Sequence, residues 1–164
     1  MGDVVSLKTK GKEDDRAFTK RWGGRVADHG YTMVPTMFFA LQAELGLTSP
    51  QALVLLHLLD HWWHSSSGLP WPAKKTLANR MSVTERQIQR ILADLENEGL
   101  ISRQARFYSS GGQKSNAYDL GGLIKRLKKL EPAFRADKDA KKQRRAAAER
   151  PARRRRAGSP SSSK

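Results

Sequence analysis

The spacing of apolar positions predicts a helical core that begins near residue 34. Over Val34–Leu45 the apolar side chains recur at helical intervals, and Gly46 follows as a stop signal. The next helix is predicted over Ala52–Trp63, since Thr48 can cap it and Pro50 falls in its first turn. Apolar groups lie on most sides of this second helix, which is typical of a helix in the centre of a core.

A break and a short extended segment lead from this helix to a helix-turn-helix pattern. The break is the Ser-rich stretch Ser65–Gly68, and Leu69–Pro72 is predicted to be extended because each proline disfavours the α conformation in the residue before it. A short helix is predicted over Ala73–Met81. The turn Met81–Val83 then leads into another helix.

The helix predicted over Thr84–Glu98 has the clearest boundary signals of the chain. Thr84 and Gln87 match a capping box at its start, and Gly99 is suited to the C-cap position. At 100° per residue, Arg86 and Arg90 lie one turn apart on the exposed face. The inward face is predicted to consist of Ile88, Ile91, Leu92 and Leu95.

The pattern next predicts a β-hairpin and a last helix. Leu100–Tyr108 and Ser115–Leu120 have the composition of strands, and the Gly-rich stretch between them has that of a turn. Gly122–Leu130 is predicted to be helical, with Leu123, Leu127 and Leu130 on one side. That leucine stripe fits a dimer seam or a cover for the domain's own core, so the pattern leaves a homodimer open.

This order of elements predicts a mainly α fold with a small β-hairpin (α+β), namely a winged helix-turn-helix domain with disordered N- and C-terminal extensions. The division expected is a flexible charged segment over 1–30, the domain over 31–131 and a basic, disordered tail over 132–164. The net charge is +15, of which residues 135–164 carry +9 without any aliphatic side chain larger than alanine. Such a tail cannot bury a core and is expected to be disordered or a frayed helix.

Composition excludes several classes of protein. With no cysteine, a disulfide scaffold, a thiol nucleophile and a Cys-ligated metal are ruled out. The longest uncharged stretch is shorter than the 18 to 20 or so apolar residues of a membrane span, and no signal peptide is visible. We therefore expect a cytoplasmic, nucleoid-associated protein with no membrane contact. No Gly-rich phosphate loop or catalytic elbow is present, so we expect neither an enzyme nor a cofactor.

The second helix of a helix-turn-helix places its N-terminal residues at base edges in the major groove. Arginine can pair bidentately with guanine and glutamine with adenine, while lysines and arginines nearby can neutralise phosphates. The wing is expected over residues 103–116. The DNA-binding residues predicted on this basis are Thr84, Arg86, Gln87, Gln89 and Arg90 in the helix, Lys74, Lys75 and Arg80 before it, and Arg103, Arg106, Lys114 and Asn116 in the wing.

Two other groups of residues suggest chemistry that we weigh against simpler interpretations. His57, Asp60, His61 and His64 would share one helix face. Without a supporting ligand signature, we interpret them as a polar stripe and expect no metal. Trp62, Trp63 and Trp71 could stack on bases, but their positions favour packing. Phe107 and Tyr108, at the base of the wing, are open to either interpretation.

Several stretches together resemble the helix-turn-helix domains of plasmid and phage replication initiators. The more specific ones are the Trp71-Pro72 step, before the helix-turn-helix, and the Gly-rich wing that is closed by Ser115-Asn-Ala-Tyr-Asp-Leu. The resemblance covers residues 31–131 and implies DNA binding by a bacterial or mobile-element protein through Arg86, Gln87, Arg90 and the wing around Lys114. Initiators of this type often carry a second winged-helix domain. A short basic tail follows here instead, which fits a small regulator or accessory protein at least as well.

We therefore expect a sequence-specific protein for double-stranded DNA, acting in transcription control or in replication of a mobile element. The alternative is a winged-helix protein-interaction module whose basic tail makes only generic contact with nucleic acid. An acidic protein partner for the tail is a further expectation. RNA binding is less favoured, because neither an aromatic strand pair nor a Gly-x-x-Gly clamp is present.

Overall fold

The computed structural model of the protein describes residues 14–63 and 68–148. Within these residues the elements follow the order of a winged helix-turn-helix domain, which confirms the α+β prediction. The helices are α1 (14–22, as far as described), α2 (Gly24–Ala27), α3 (Thr36–Ala40), α4 (Ser49–Trp63), α5 (Lys74–Met81), α6 (Glu85–Asn97) and α7 (Gly121–Ala148), and the strands are β1 (Ser102–Phe107) and β2 (Gln113–Asp119).

Helix α4 contributes the middle of the hydrophobic core. Val54, Leu55 and Leu58 are fully buried, and burial of each such side chain stabilises the fold by about 1.5–3 kcal/mol. The helix begins at Ser49, directly after the predicted cap residue Thr48, whose backbone N–H donates to Oε1 of Gln51 at 2.9 Å. The cap and the apolar surface of α4 together fix the helix on which α6 packs.

A tight turn joins α5 to α6. Among the described non-glycine residues, Ser82 alone has a positive φ, at 54°. The turn is closed by the N–H of Val83, which donates to the carbonyl of Ala78 at 3.0 Å. Leu77 and Ala78 are buried, so α5 is held against the core and α6 leaves the turn with its polar face outward.

The end of α6 forms a Schellman motif that leads into the hairpin. Gly99, at φ 66°, donates its N–H to the carbonyl of Glu96 at 2.9 Å, and Leu100 donates to the carbonyl of Leu95 at 2.9 Å. These are the two bonds that define the motif, and glycine takes the left-handed position without strain. The predicted glycine at the helix end is confirmed, since Gly99 directly follows the C-cap residue Glu98.

Strands β1 and β2 form an antiparallel hairpin, with Arg103 opposite Tyr118 and Arg106 opposite Lys114. On the other edge of β2, the N–H of Tyr118 donates to the carbonyl of Pro70 at 2.8 Å. The extended segment before α5 is thereby attached to the wing. The strands begin and end within about two residues of the predicted bounds.

The prediction that the last helix ends at Leu130 is wrong, because α7 continues through Pro132 to Ala148. Proline removes one backbone hydrogen bond from a helix, but Phe134, one turn after Leu130, still packs against the core. Leu127 and Leu130 are also half-buried against this core, so part of the leucine stripe covers the protein's own domain. The rest of the tail expected to be disordered, residues 149–164, lies outside the described residues.

The N-terminal part also differs from the prediction. Helix α3 covers only Thr36–Ala40, and the chain then continues in turns to Gly46. Inside the segment expected to be flexible, α1 and α2 are helical, and the Tyr31 hydroxyl donates to the carboxylate of Asp15. Contacts between side chains far apart in sequence thus organise a segment that has no clear apolar period. Residues 1–13 lie outside the described part of the chain.

Candidate nucleic-acid interface

The exposed face of α6 carries the two arginines singled out from the sequence. Arg86 and Arg90 are exposed, whereas Ile88, Leu92 and Leu95 on the opposite side are buried. The helical period alone accounts for this separation. The second helix of the helix-turn-helix therefore presents long cationic side chains one turn apart.

Thr84 and Gln87 are engaged with each other at the start of α6. The N–H of Gln87 donates to Oγ1 of Thr84 at 3.2 Å, and the N–H and hydroxyl of Thr84 donate to Oε1 of Gln87 at 2.9 and 3.1 Å. The capping box predicted from the sequence is confirmed. For Gln87 to pair bidentately with adenine, its Oε1 would have to leave the cap.

Gln89 and Lys74 connect α6 to the first turn of α5, where Lys75 is also exposed. Nζ of Lys74 donates to Oε1 of Gln89 at 3.4 Å. Lys74 also borders a groove of about 330 Å³, together with Lys114 and Asn116 of β2. The start of α5, the face of α6 and the second strand of the wing thus form one polar, basic surface.

Arg80 points toward α4. Its Nη1 lies 3.2 Å from Oδ2 of Asp60, and the other oxygen of Asp60 accepts from the hydroxyl of Thr32 at 2.5 Å. Burial lowers the pKa of the neighbouring His57, the charge of Arg80 lowers it further, and Asp60 opposes the shift. The structure therefore places Arg80 in an ion pair within the fold, apart from the face of α6.

Arg103 is held by Glu96, which the sequence analysis did not single out. The backbone N–H of Arg103 donates to Oε1 of Glu96 at 3.0 Å and its Nε donates to Oε2 at 2.7 Å. These hydrogen bonds hold the pKa of Glu96 below its usual value and raise the pKa of Arg103. The pair joins α6 to β1, and a spacing of seven residues across a helix end gives no local signal of it.

Arg106 and Lys114 each lie over an aromatic ring. The guanidinium carbon of Arg106 is 4.4 Å from the centroid of the Trp71 ring, and Nζ of Lys114 is 4.3 Å from that of Tyr108. Trp71 is 48% exposed and Tyr108 55% exposed. The expectation that Trp71 is a packing residue is therefore wrong: the Pro70–Tyr118 hydrogen bond holds the backbone of this segment against β2 while half of the ring stays at the surface.

The polar stripe of α4 forms no metal cluster in the part of the chain that the structure describes. Asp60 is occupied by Thr32 and Arg80, as given above. His64, which the sequence placed in the same stripe, and the side chain of Trp63 lie outside the described residues. Trp62 is 39% exposed on α4. Among the described helices, none combines the length and the apolar character needed to cross a membrane.

Comparison with known proteins gives a family match and similarities to individual proteins. The family model of the DnaD N-terminal domain matches residues 34–138. The dapdiamide synthesis protein DdaD of Enterobacter agglomerans is 34% identical over 100 residues, which are 61% of this chain and 16% of that protein. A possible transcriptional regulator from Methanosarcina mazei aligns with 70% of this chain and 96% of its own, at 14% identity and a TM-score of 0.43.

Proposed function

The chain belongs to the DnaD N-terminal domain family, a replication-related family with a winged-helix-like fold, and from this premise we propose that it binds double-stranded DNA sequence-specifically. The observation that carries the proposal is the pair Arg86 and Arg90, exposed on the capped second helix of a helix-turn-helix. The role proposed is replication initiation, an accessory function in replication, or transcription control on a plasmid, phage or other mobile element.

The contacts of the predicted residues divide them into three groups: residues that contact base edges, residues that contact phosphates, and residues that position the recognition helix. Arg86, Gln89 and Arg90 are proposed to read base edges, because they lie on the exposed face of α6. Thr84 and Gln87 are proposed to hold the start of that helix, where free backbone N–H groups can take a phosphate. Contacts to phosphates on either side are proposed for Lys74, Lys75, Arg106, Lys114 and Asn116.

Arg80 and Arg103 receive a different role in this proposal. Each forms a partly exposed ion pair with a carboxylate of the domain itself, so a phosphate would compete with Asp60 or Glu96 for its charge. We assign them to the positioning of α5 and of the wing. DNA would then meet the wing through Arg106 and Lys114, the two cations that lie over aromatic rings.

The second candidate is a protein-interaction module, and one groove favours it. Pro50, Met81, Val83 and Ile91 supply an apolar lining between the start of α4 and the side of α6, in a groove of about 340 Å³. Arg90 also lines this groove. In this alternative the basic residues of α7 and the tail make generic contact with nucleic acid or with an acidic protein.

We further propose that the protein is not an enzyme and that it acts in the cytoplasm, associated with the nucleoid. Leu127 and Leu130 pack on the protein's own core, so they give no argument for a dimer. A homodimer is therefore proposed only from the two-fold symmetry common in operator sites.

The test first selects the sequence that the protein prefers from random duplex DNA. Binding to a duplex of that selected sequence and to a random-sequence duplex is then measured by fluorescence anisotropy at about 0.15 M salt. Arg86→Ala should weaken binding to the selected duplex by about 5- to 150-fold and to the random duplex by much less. Arg135→Ala on α7, which removes an exposed arginine far from α6 in sequence, is the matched control and should weaken both equally and slightly. Retained selected-site affinity in Arg86→Ala would remove Arg86 from base readout, and failure of any duplex to be selected over random sequence would favour the interaction module.

A further inference from the structure

Two like charges face each other across the wing. Arg106 and Lys114 are directly opposite in the β1–β2 register, a placement that destabilises a hairpin. Each cation lies over its own ring, Arg106 over Trp71 and Lys114 over Tyr108. The attraction of a cation to a ring face offsets part of the repulsion, and the pair still concentrates positive charge at one point of the hairpin.

The same four side chains border a groove. Trp71, Arg106, Tyr108, Lys114 and Ser115 line a space of about 260 Å³, and both rings are about half exposed. Exposed aromatic rings beside lysine and arginine are the components with which proteins bind single-stranded nucleic acid: the cations follow the phosphates and the rings stack on bases. A duplex keeps its bases stacked inside, so contact with its phosphates has no use for the rings.

Phe107 is an exposed aromatic residue of the same hairpin that does not line this groove. It is 62% exposed and lies between Arg106 and Tyr108 in sequence. Because side chains alternate along a strand, Phe107 points to the opposite face of the hairpin, and it is not among the residues that line the groove. The strand therefore carries an aromatic side chain of similar exposure outside the site.

We propose that this wing groove, lined by Trp71, Arg106, Tyr108, Lys114 and Ser115, binds an unpaired stretch of DNA. A phosphate lies between Arg106 and Lys114, where it relieves their repulsion, and adjacent bases stack on Trp71 and Tyr108. Lys114 also borders the groove that reaches Lys74, whose Nζ contacts Gln89 of α6, so the site adjoins the proposed duplex surface. The protein then binds a junction, with the duplex on α6 and the separated strand in the wing groove. The choice of DNA rests on the function proposed above.

The test measures binding of the full chain to labelled oligo-dT of about 15 nucleotides and to a duplex of equal length, at about 0.15 M salt. Trp71→Ala and Tyr108→Ala should each weaken oligo-dT binding about 5-fold or more and duplex binding less than about 2-fold. Phe107→Ala is the matched control and should leave both unchanged. The proposal is overturned if Trp71→Ala and Tyr108→Ala bind oligo-dT like wild type, or if Phe107→Ala loses as much as they do.

Tryptophan fluorescence gives a readout that does not depend on a truncating substitution. Stacking of thymine on Trp71 should quench the emission of wild type, and Trp71→Phe should remove that quenching while keeping most of the affinity. Trp62→Phe, which removes an exposed tryptophan of α4, should keep it. Unchanged quenching in Trp71→Phe overturns the proposal, and so does tighter binding of oligo-rU than of oligo-dT. Arg86→Ala separates the two proposals, since it should weaken duplex binding and leave oligo-dT binding intact.

Discussion

Glu96 and Arg103 connect the second helix of the helix-turn-helix to the first strand of the wing. Both oxygens of the Glu96 carboxylate accept hydrogen bonds from Arg103, one from its backbone N–H at 3.0 Å and one from Nε at 2.7 Å. The two side chains are about one-third exposed. The connection holds β1, and with it Arg106, in a fixed position relative to Arg86 and Arg90.

Glu96→Ala should lower the free energy of unfolding by about 0.5–1 kcal/mol, because solvent screening reduces the contribution of a partly exposed pair. Alanine favours the helix, so the loss would come from the missing contacts to Arg103. Urea unfolding measures it. Glu98→Ala removes another carboxylate at the end of the same helix and should change stability less; equal losses in the two variants would contradict the role given to Glu96.

The same pair predicts a dependence of stability on pH. The folded state holds the pKa of Glu96 below its usual value of 4.5, so the stabilisation is fully present above that value and is lost as the pH falls through the lower, folded pKa. The difference in unfolding free energy between wild type and Glu96→Ala should be constant near neutral pH and should shrink below about pH 4.5. A difference that grows on acidification would contradict the assignment.

Thr84→Ala should destabilise the protein by about 1 kcal/mol, since it removes the acceptor for the N–H of Gln87. Thr84→Ser keeps the hydroxyl and should remain close to wild type. Thermal unfolding followed by circular dichroism distinguishes the two variants. If Thr84→Ser and Thr84→Ala unfold at the same temperature, the side-chain cap does not stabilise α6.

Gly122→Ala should be strongly destabilising, because a Cβ at this position would lie 2.0 Å from the carbonyl oxygen of Gly99. That oxygen belongs to the backbone of the α6–β1 connection and cannot move without displacing the wing, so a loss of about 1–3 kcal/mol is expected. Gly121→Ala is the control, since its Cβ would lie 3.1 Å from Oδ1 of Asp119, the end of a side chain. Chemical denaturation should show a much smaller loss for Gly121→Ala.

The elements that the sequence predicted well are those set by neighbours along the chain. The capping box joins residues three positions apart, the Schellman motif at Gly99 joins residues three and five positions apart, and both are found. The prediction ends helix α7 at Leu130, the last residue of its leucine stripe, whereas the helix continues to Ala148. Phe134 packs against core residues that are distant in sequence, and this contact accompanies the continuation of the helix.

The candidate site was less predictable because partners from other elements decide what a charged side chain does. Arg80, Arg103 and Arg106 look alike in the sequence. Arg80 and Arg103 form ion pairs with Asp60 and Glu96, whereas Arg106 lies over the ring of Trp71. The exposure of Trp71 has no local signal either, since its ring lies against Arg106, which is distant in sequence.

A selection of bound sequences from random duplex DNA at about 0.15 M salt tests the central claim most directly, because generic attraction to phosphates is weakened at that salt concentration. Wild type should recover a defined motif, Arg90→Ala should relax the preference at one or two positions of that motif, and Arg135→Ala should recover the wild-type motif. The absence of any enriched motif from wild type, together with salt-sensitive binding to all sequences, would contradict sequence-specific recognition by α6.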